Sequence, residues 1–337
     1  MASLSRQGLL DEFERAALAS GYMAVRTSDA AKVPARYLLT GASAESIALL
    51  VYIKNFTPAD RANVDEYRIQ LRRDVLPLQM KRYATTVLLG YHQKSGLFVG
   101  FDPSSVSTTA RTQISVGYVG LRAVKRAVRR GMSFDRDRLG RIAVGIRPEL
   151  LVPYCLHARE LHGAADEASI TALLNEATAA FNETEPGADL TTSIDVPSER
   201  KRLLRSVSVL SRDAGFRCRV LEAYGYKCAV SQMQLGLVDA AHVLPVCEDG
   251  SHDRVSNGVS LLPQFHRAFD SGLIYLTPKY KMRLNEARAT QLDRRGLSGG
   301  LDDLRDALGS IELPASKREW PDPALIAQAN RARGIRV

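Results

Sequence analysis

With 337 residues, the chain is too long for one small hydrophobic core, so length alone favours two domains and a connector. Lys and Arg number 46 against 37 Asp and Glu, and the formal net charge of +9 favours a polyanionic partner such as nucleic acid. The sequence has no run of 18 apolar residues and no CxxC pair among its four cysteines. These features do not support a membrane-spanning chain or a disulfide framework, and we expect a cytoplasmic protein with reduced thiols and no membrane partner.

The N-terminal half combines short strands with a few helices. Apolar residues share one face over 4–20, which predicts a surface helix. The predictions that follow are strands at 36–41, 46–56, 66–72, 114–120 and 141–146, a hairpin over 85–103 with its turn at 93–96, and helices at 121–131 and 148–162. The sequence therefore predicts a β-rich α+β domain over 1–180, and a barrel-like sheet is one option for it.

A change in composition separates this half from the rest. Residues 183–198 are rich in Pro, Thr, Asp and Gly and have no apolar period. This pattern predicts a linker over 181–199, followed by a second domain over 200–337. Further helices are predicted at 199–213, near 301–309 and at 323–333.

The second domain contains a compact pattern of polar residues in apolar surroundings. The segment VDAAHVLPV predicts a strand with His242 near its end, SNGVSLL predicts a second strand after Asn257, and PQFHRAFDSGL predicts a helix. On that helix His266 and Asp270 are four residues apart and share a face. The two histidines would therefore frame one small ββα unit.

These residue types suit hydrolysis of a phosphodiester bond. Neutral imidazole is a suitable base for activating water, because its ordinary pKa lies close to neutrality. An Asn amide can bridge the backbone of a loop, and a His with a carboxylate can hold a divalent cation. We therefore expect His242, Asn257 and His266 to form the catalytic group of a nuclease.

Residues 217–276 resemble an HNH nuclease domain of the ββα-metal, or His-Me finger, superfamily, which includes many restriction endonucleases. The motifs that carry the resemblance are Cys228-Ala-Val-Ser, Asp239-Ala-Ala-His242, Asn257-Gly258 and His266-Arg-Ala-Phe-Asp270-Ser-Gly-Leu, in the family's order and spacing. The resemblance implies that His242 is the general base, that Asn257 orients it and that His266 contributes to a site for Mg²⁺ or Mn²⁺.

The sequence departs from the family pattern at two places. Many relatives carry a metal ligand immediately before the base, where this chain has Ala241, so we expect Asp239 and Asp270 to join His266 as ligands. Many relatives also have a structural zinc on two CxxC pairs, whereas Cys228 is followed three residues later by Ser231. A four-thiolate zinc site is therefore not expected, and a packed apolar core should replace it.

Two groups of basic residues are candidates for contact with DNA phosphates, although charge runs are often only solvated faces. The first lies on the helix 121–131 and the second precedes the HNH segment. The residues are Arg122, Lys125, Arg126, Arg129, Arg130, Lys201, Arg202 and Arg205.

The sequence leaves several functions open. The first is a metal-dependent endonuclease for double-stranded DNA in restriction or phage defence, with target recognition by the N-terminal domain. A B3-like pseudobarrel and a modified-base pocket are both options for that domain. The alternatives are an HNH nuclease controlled by a small-molecule or protein sensor, and a non-catalytic DNA-binding protein, for which Ala241 is the main argument. Cutting both strands with one active site per chain suggests a homodimer.

Overall fold

The computed structural model describes residues 3–41, 46–59, 65–106, 113–136, 140–163, 175, 179, 181–182 and 198–335, and for 113–116, 198–208 and 210 it describes the backbone alone. Two compact units are present. The described residues up to Ala214 belong to the first, and those from Gly215 onward belong to the second.

The first unit is built around one large mixed sheet. The strands of this unit are β1 (Met23–Arg26), β2 (Ala35–Thr40), β3 (Ser46–Asn55), β4 (Thr57–Pro58), β5 (Glu66–Arg72), β6 (Thr85–His92), β7 (Leu97–Phe101), β8 (Gln113–Gly120), β9 (Met132–Arg136) and β10 (Ile142–Ile146). Seven of them pair in the order β1-β2-β3-β6-β7-β10-β9, and β4-β5-β8 form a second, antiparallel sheet. Within the large sheet only β3 and β6 are parallel neighbours.

The large sheet is buried on both faces. The helices of this unit are α1 (Arg6–Ala19), α2 (Leu121–Arg130), α3 (Leu151–Gly163) and the first part of α4 (Ser198–Ala223). On β3, Leu49 and Val51 pack with α1 and α3, whereas Tyr52 on the opposite face packs with β5, β8 and α2. This alternation is the period of two that a strand imposes on its side chains.

The α+β class predicted for this half is confirmed, but the barrel-like option is not met. The order of the large sheet ends at β1 and β9, which do not pair with each other in the described part of the chain. The sheet is therefore open there. Both of its edge strands are absent from the sequence prediction.

The second unit contains the end of α4 and a series of short elements. These are β11 (Asp239–His242), β12 (Gly258–Leu261), α5 (Pro263–Asp270), β13 (Ile274–Leu276), β14 (Met282–Leu284), α6 (Glu286–Asp293), α7 (Leu301–Asp306) and α8 (Pro323–Ala332). A single apolar cluster joins them, with Val220, Val259, Leu261 and Phe269 almost fully buried. Cys228 lies within this cluster and accepts a hydrogen bond from the Leu262 amide at 3.4 Å.

Helix α4 is longer than the predicted helix over 199–213. Phe216, Val220 and Tyr224 continue an apolar face at a spacing of four residues, which is the spacing of a helix. The predicted linker over 181–199 lies mostly outside the described residues, so the boundaries 1–180 and 200–337 stay predictions. In the described ranges, every helix is too short or too polar to cross a bilayer.

Candidate active site

The predicted ββα unit is present in the second unit of the chain. Strands β11 and β12 pair antiparallel with His242 opposite Gly258, and α5 follows β12 after a single residue, Leu262. The short strands hold His242 at the end of β11. The helix presents His266 and Asp270 one turn apart.

The imidazole of His242 is fixed by two neighbours. Its Nε2 lies 2.9 Å from Oδ1 of Asp253, and its ring stacks on Phe216 with centroids 3.8 Å apart and an angle of 11° between planes. The His242 side chain is 18 % exposed and that of Asp253 is 4 % exposed. Within the described residues, the hydrogen bond found on this ring is the one at Nε2, so Asp253 engages one of the two ring nitrogens.

Asp253 is a site residue that the sequence analysis missed. It lies in the polar segment SHDR, where an aspartate is expected on a solvated loop, yet it is buried against the His242 ring. A cation of α4 lies near it. The Arg219 guanidinium donates to the Asp253 carbonyl at 3.2 Å; burial lowers the pKa of Arg219, and the Asp253 charge opposes that shift.

Asn257 is fully buried and ties down the loop between β11 and Asp253. Its Oδ1 accepts from the Leu244 amide at 2.8 Å, while its Nδ2 donates to the His252 carbonyl at 2.8 Å and to Ser251 Oγ at 3.2 Å. These bonds span both ends of the loop. Asn257 therefore fixes the backbone that leads from His242 to Asp253, and it acts on the imidazole through that loop.

His266 and Asp270 form a second polar pair. His266 Nε2 lies 3.3 Å from Asp270 Oδ2, and the two side chains are 24 % and 59 % exposed. An imidazole and a carboxylate so close together are a donor set that suits a divalent cation. The sequence predicts that these two residues share a face of the helix, and the structure agrees.

Asp239 belongs to different surroundings. The Arg217 guanidinium donates to Asp239 Oδ1 at 2.7 Å and also to the Val238 carbonyl. Strand alternation places Asp239 on the face of β11 opposite to His242. Among the residues described, no three His, Cys, Asp or Glu side chains are grouped to hold a metal. Of the predicted ligands His266, Asp239 and Asp270, the structure brings His266 and Asp270 together and places Asp239 beside Arg217. Metal binding by these residues stays a prediction.

Arg333, after the end of α8, also reaches the site and was not predicted. Its Nη1 donates to the Val243 carbonyl at 3.1 Å, and its guanidinium carbon lies 4.5 Å from the centre of the Phe269 ring. Burial lowers the pKa of Arg333, while the charges of Asp270 and Glu248 oppose this. The Arg333 guanidinium thus contacts Val243, the residue after His242, and interacts with the charge of Asp270.

The predicted DNA-binding residues fall into two classes. On α2, the apolar residues Ala123, Val124 and Ala127 face the core, and the five cations Arg122, Lys125, Arg126, Arg129 and Arg130 are exposed to solvent. Lys201, Arg202 and Arg205 lie on α4, but their side chains are outside the described residues. Contact of either group with DNA stays a prediction.

Comparisons with known proteins match two segments of the chain to family models. Residues 228–277 match the family model "HNH endonuclease", and residues 47–155 match "Methylase-associated X1". None of the curated proteins matches the chain. A solved structure described as "Modification dependent TagI restriction endonuclease" aligns at 14 % identity over 83 % of this chain and 81 % of its own, with a TM-score of 0.28.

The His-Asn-His pattern, its ββα frame and the matched family model occupy the same residues. HNH nucleases generally use a divalent metal ion. The chain therefore carries a Methylase-associated X1 domain followed by an HNH endonuclease domain, and it is a DNA endonuclease, a hydrolase of phosphodiester bonds.

Proposed function

We propose that the chain is a metal-dependent restriction-type endonuclease that cuts double-stranded DNA in phage defence, with His242 as its general base. The observation that supports this most directly is the buried pair of His242 and Asp253. A carboxylate at Nε2 favours the tautomer that carries its proton there. The lone pair then lies on Nδ1.

In this mechanism the Nδ1 of His242 removes a proton from a water molecule, which attacks the scissile phosphorus in line. Asp253 stabilises the imidazolium that forms, because its carboxylate accepts a hydrogen bond from Nε2–H, with the nitrogen and oxygen 2.9 Å apart. The stacked Phe216 ring restricts the imidazole plane. Asn257 holds the loop that keeps His242 and Asp253 in register.

His266 and Asp270 are the residues that would hold the cation. A bound Mg²⁺ or Mn²⁺ supplies positive charge for the phosphate and for the leaving 3′ oxygen. The pair is half-exposed, so water and phosphate oxygens can complete the coordination. Asp239 has no part in this proposal, because its carboxylate is engaged by Arg217.

We propose that the N-terminal unit supplies target recognition. An HNH unit of this size contacts few bases, so specificity must come from elsewhere in the chain. The match to a Methylase-associated X1 domain supports a reader whose target depends on the methylation of DNA. The sensor alternative makes a different prediction, which is that a nucleotide or a protein partner switches cleavage on.

The non-catalytic alternative rests on Ala241 alone. A scaffold without catalytic use would have no need for a buried carboxylate on the imidazole of His242. The closeness of His266 and Asp270 also argues against it. A homodimer remains the arrangement that we propose for cutting both strands.

The test compares matched unmodified, methylated and hydroxymethylated plasmids, digested with Mg²⁺ or Mn²⁺. We expect His242→Ala to abolish cleavage and to leave DNA affinity nearly unchanged. The matched control is His252→Ala, which removes another imidazole from the same loop. Cleavage by His242→Ala at the wild-type rate would refute the assignment of the base.

A further inference from the structure

The connection between β5 and β6, residues 73–84, is an anchored loop with an exposed tip; we refer to it as the basic loop. The Gln79 amide donates to the Tyr52 hydroxyl at 2.9 Å, and Thr86 Oγ1 donates to the Gln79 carbonyl at 2.7 Å. Val75, Leu76 and Leu78 pack against the buried cluster beneath it. The loop is therefore held in place by its base.

Beyond this base, the tip exposes two large side chains. Tyr83 is 77 % exposed, more than any other large apolar or aromatic side chain in the described ranges, and Met80 is 57 % exposed. The bridge between Lys81 and Ala84 turns the chain here. Two large side chains exposed three residues apart on an anchored loop are positioned to contact a partner.

The charge of the tip indicates the partner. Lys81 and Arg82 lie between the two exposed apolar side chains and are themselves exposed. The one nearby carboxylate in the loop, Asp74, is paired with Arg72 at 2.9 Å. Two cations beside an aromatic ring and a flexible thioether suit a polyanion that also offers flat apolar faces.

Nucleic acid has both features, because phosphates alternate with bases along the strand. Aromatic side chains stack on the bases of single strands without regard to sequence. In duplex DNA, apolar side chains insert between base steps from the minor groove. An anionic membrane surface would also attract such a tip. DNA is favoured here because the same chain carries an endonuclease domain and needs contacts outside it.

We propose that the basic loop is a DNA-contacting element of the N-terminal unit, with Lys81 and Arg82 on phosphates and Tyr83 and Met80 against bases. This inference rests on the proposed function, because it requires that the chain binds DNA. It adds a surface separate in sequence from the cations of α2 and from the active site. Tyr83 would give the contact a stacking component that a purely ionic surface lacks.

The experiment measures DNA binding by the full chain with a chelator present, so that cleavage does not interfere. Fluorescence anisotropy with a duplex oligonucleotide is recorded over a range of salt concentrations. We expect the double variant Lys81→Ala/Arg82→Ala to reduce the slope of log K against log salt by about two. Tyr83→Ala should weaken binding about tenfold, and Tyr83→Phe should restore most of the affinity.

The matched control is Lys32→Ala/Arg36→Ala, which removes two exposed cations from the same unit. If this control lowers the salt slope as much as Lys81→Ala/Arg82→Ala, only net charge matters and the proposal is overturned. It is also overturned if Tyr83→Ala binds DNA like the wild type, whereas the proposed function would stand. The variants are shown to be folded if their thermal unfolding midpoints equal that of the wild type.

Two further outcomes separate the proposals. Wild-type protein that binds no DNA at all would overturn both the basic loop and the proposed function. The loop would be assigned to membranes if the wild type binds vesicles with about a third of anionic lipid and Tyr83→Ala does not. In that case Tyr83→Ala would also keep the DNA affinity of the wild type. Loss of cleavage in His242→Ala does not depend on which surface the basic loop contacts, so it tests the active site separately from the loop.

Discussion

The Nε2 of His242 lies 2.9 Å from a carboxylate oxygen of Asp253, whose side chain is 4 % exposed. A buried carboxylate on one imidazole nitrogen decides which nitrogen carries the proton. The pair therefore leaves Nδ1 as the basic atom. Asp253 is a positioning residue in this scheme, because it acts on water only through His242.

Asp253→Asn should lower kcat by about 10²- to 10⁴-fold, since the amide keeps the shape of the carboxylate but can favour the wrong tautomer. The KM for DNA should change little, because Asp253 is buried away from the substrate. Single-turnover cleavage and anisotropy measure the two quantities separately.

The control for this prediction is Asp249→Asn, the same chemical change at an exposed position of the same loop. It should cleave at the wild-type rate. A purely structural role for Asp253 would instead lower the thermal stability and raise KM together with the loss of kcat. Equal rates for Asp253→Asn and the wild type would end the dyad hypothesis.

The closeness of His266 and Asp270 predicts where the cation binds. Asp270→Ala should weaken Mn²⁺ binding about tenfold or more, because one of the two proposed protein ligands is lost. Isothermal titration with Mn²⁺ in the absence of DNA measures this directly, so the result does not depend on activity. Half-maximal cleavage should require a correspondingly higher metal concentration.

Asp239→Ala gives the contrasting result. Its carboxylate pairs with Arg217, so the variant should bind Mn²⁺ like the wild type and lose stability by about 1–3 kcal/mol, because the Arg217 guanidinium loses its carboxylate partner. Weaker Mn²⁺ binding by Asp239→Ala, with Asp270→Ala unaffected, would reverse the ligand assignment.

How much of the site the sequence predicts depends on how local each contact is. The motif could be predicted because its residues lie in or next to consecutive elements, with His242 in β11, Asn257 directly before β12 and His266 in α5. Asp253 and Arg333 could not, because Asp253 becomes buried, and Arg333 reaches the Val243 carbonyl, only through tertiary packing. The contact of Asp239 with Arg217 on α4 could not be predicted for the same reason, because the two residues are 22 positions apart in the sequence.

The fold shows the same division. The hairpin of β6 and β7 was predicted with its turn at 93–96, because Lys-Ser-Gly is a local turn signal. Strands β1 and β9 were missed, since both are short edge strands, and β1 is only partly buried. These strands form because they pair with β2 and β10, and their own residues show only a weak strand pattern.

Gly258 is constrained by space at the point where α4 crosses the active-site strand. A Cβ at this position would lie 2.3 Å from Val220 Cγ2, so Gly258→Ala should destabilise the chain by about 1–3 kcal/mol. Activity should also fall, because His242 pairs with Gly258 in the strand ladder. Urea unfolding and cleavage assays measure the two effects.

The companion variant is Val220→Ala, which removes the atom that the new methyl group would meet. The double variant Gly258→Ala/Val220→Ala should recover part of the stability lost by Gly258→Ala, giving a favourable coupling energy. Strict additivity of the two changes would show that the strain lies in another contact.

The buried His162 predicts how stability changes with pH in the N-terminal unit. Burial lowers its pKa to about 4, and its Nε2 lies 3.0 Å from the hydroxyl of the fully buried Tyr154. The unfolded chain takes up a proton near the ordinary value of 6.5, while the folded chain does not. Stability from this group is therefore fully present above pH 6.5 and is lost as the pH falls toward 4.

The loss should approach about 3 kcal/mol over that interval, at about 1.4 kcal/mol per pH unit. His162→Gln keeps a hydrogen-bonding side chain and cannot titrate. This variant should therefore lower the slope of the unfolding free energy against pH by the contribution of about one proton, or about 1.4 kcal/mol per pH unit. Urea unfolding followed at several pH values between 4 and 7 measures the slope. An unchanged slope in His162→Gln would mean that another group, such as His157 with its lowered pKa, controls the acid response.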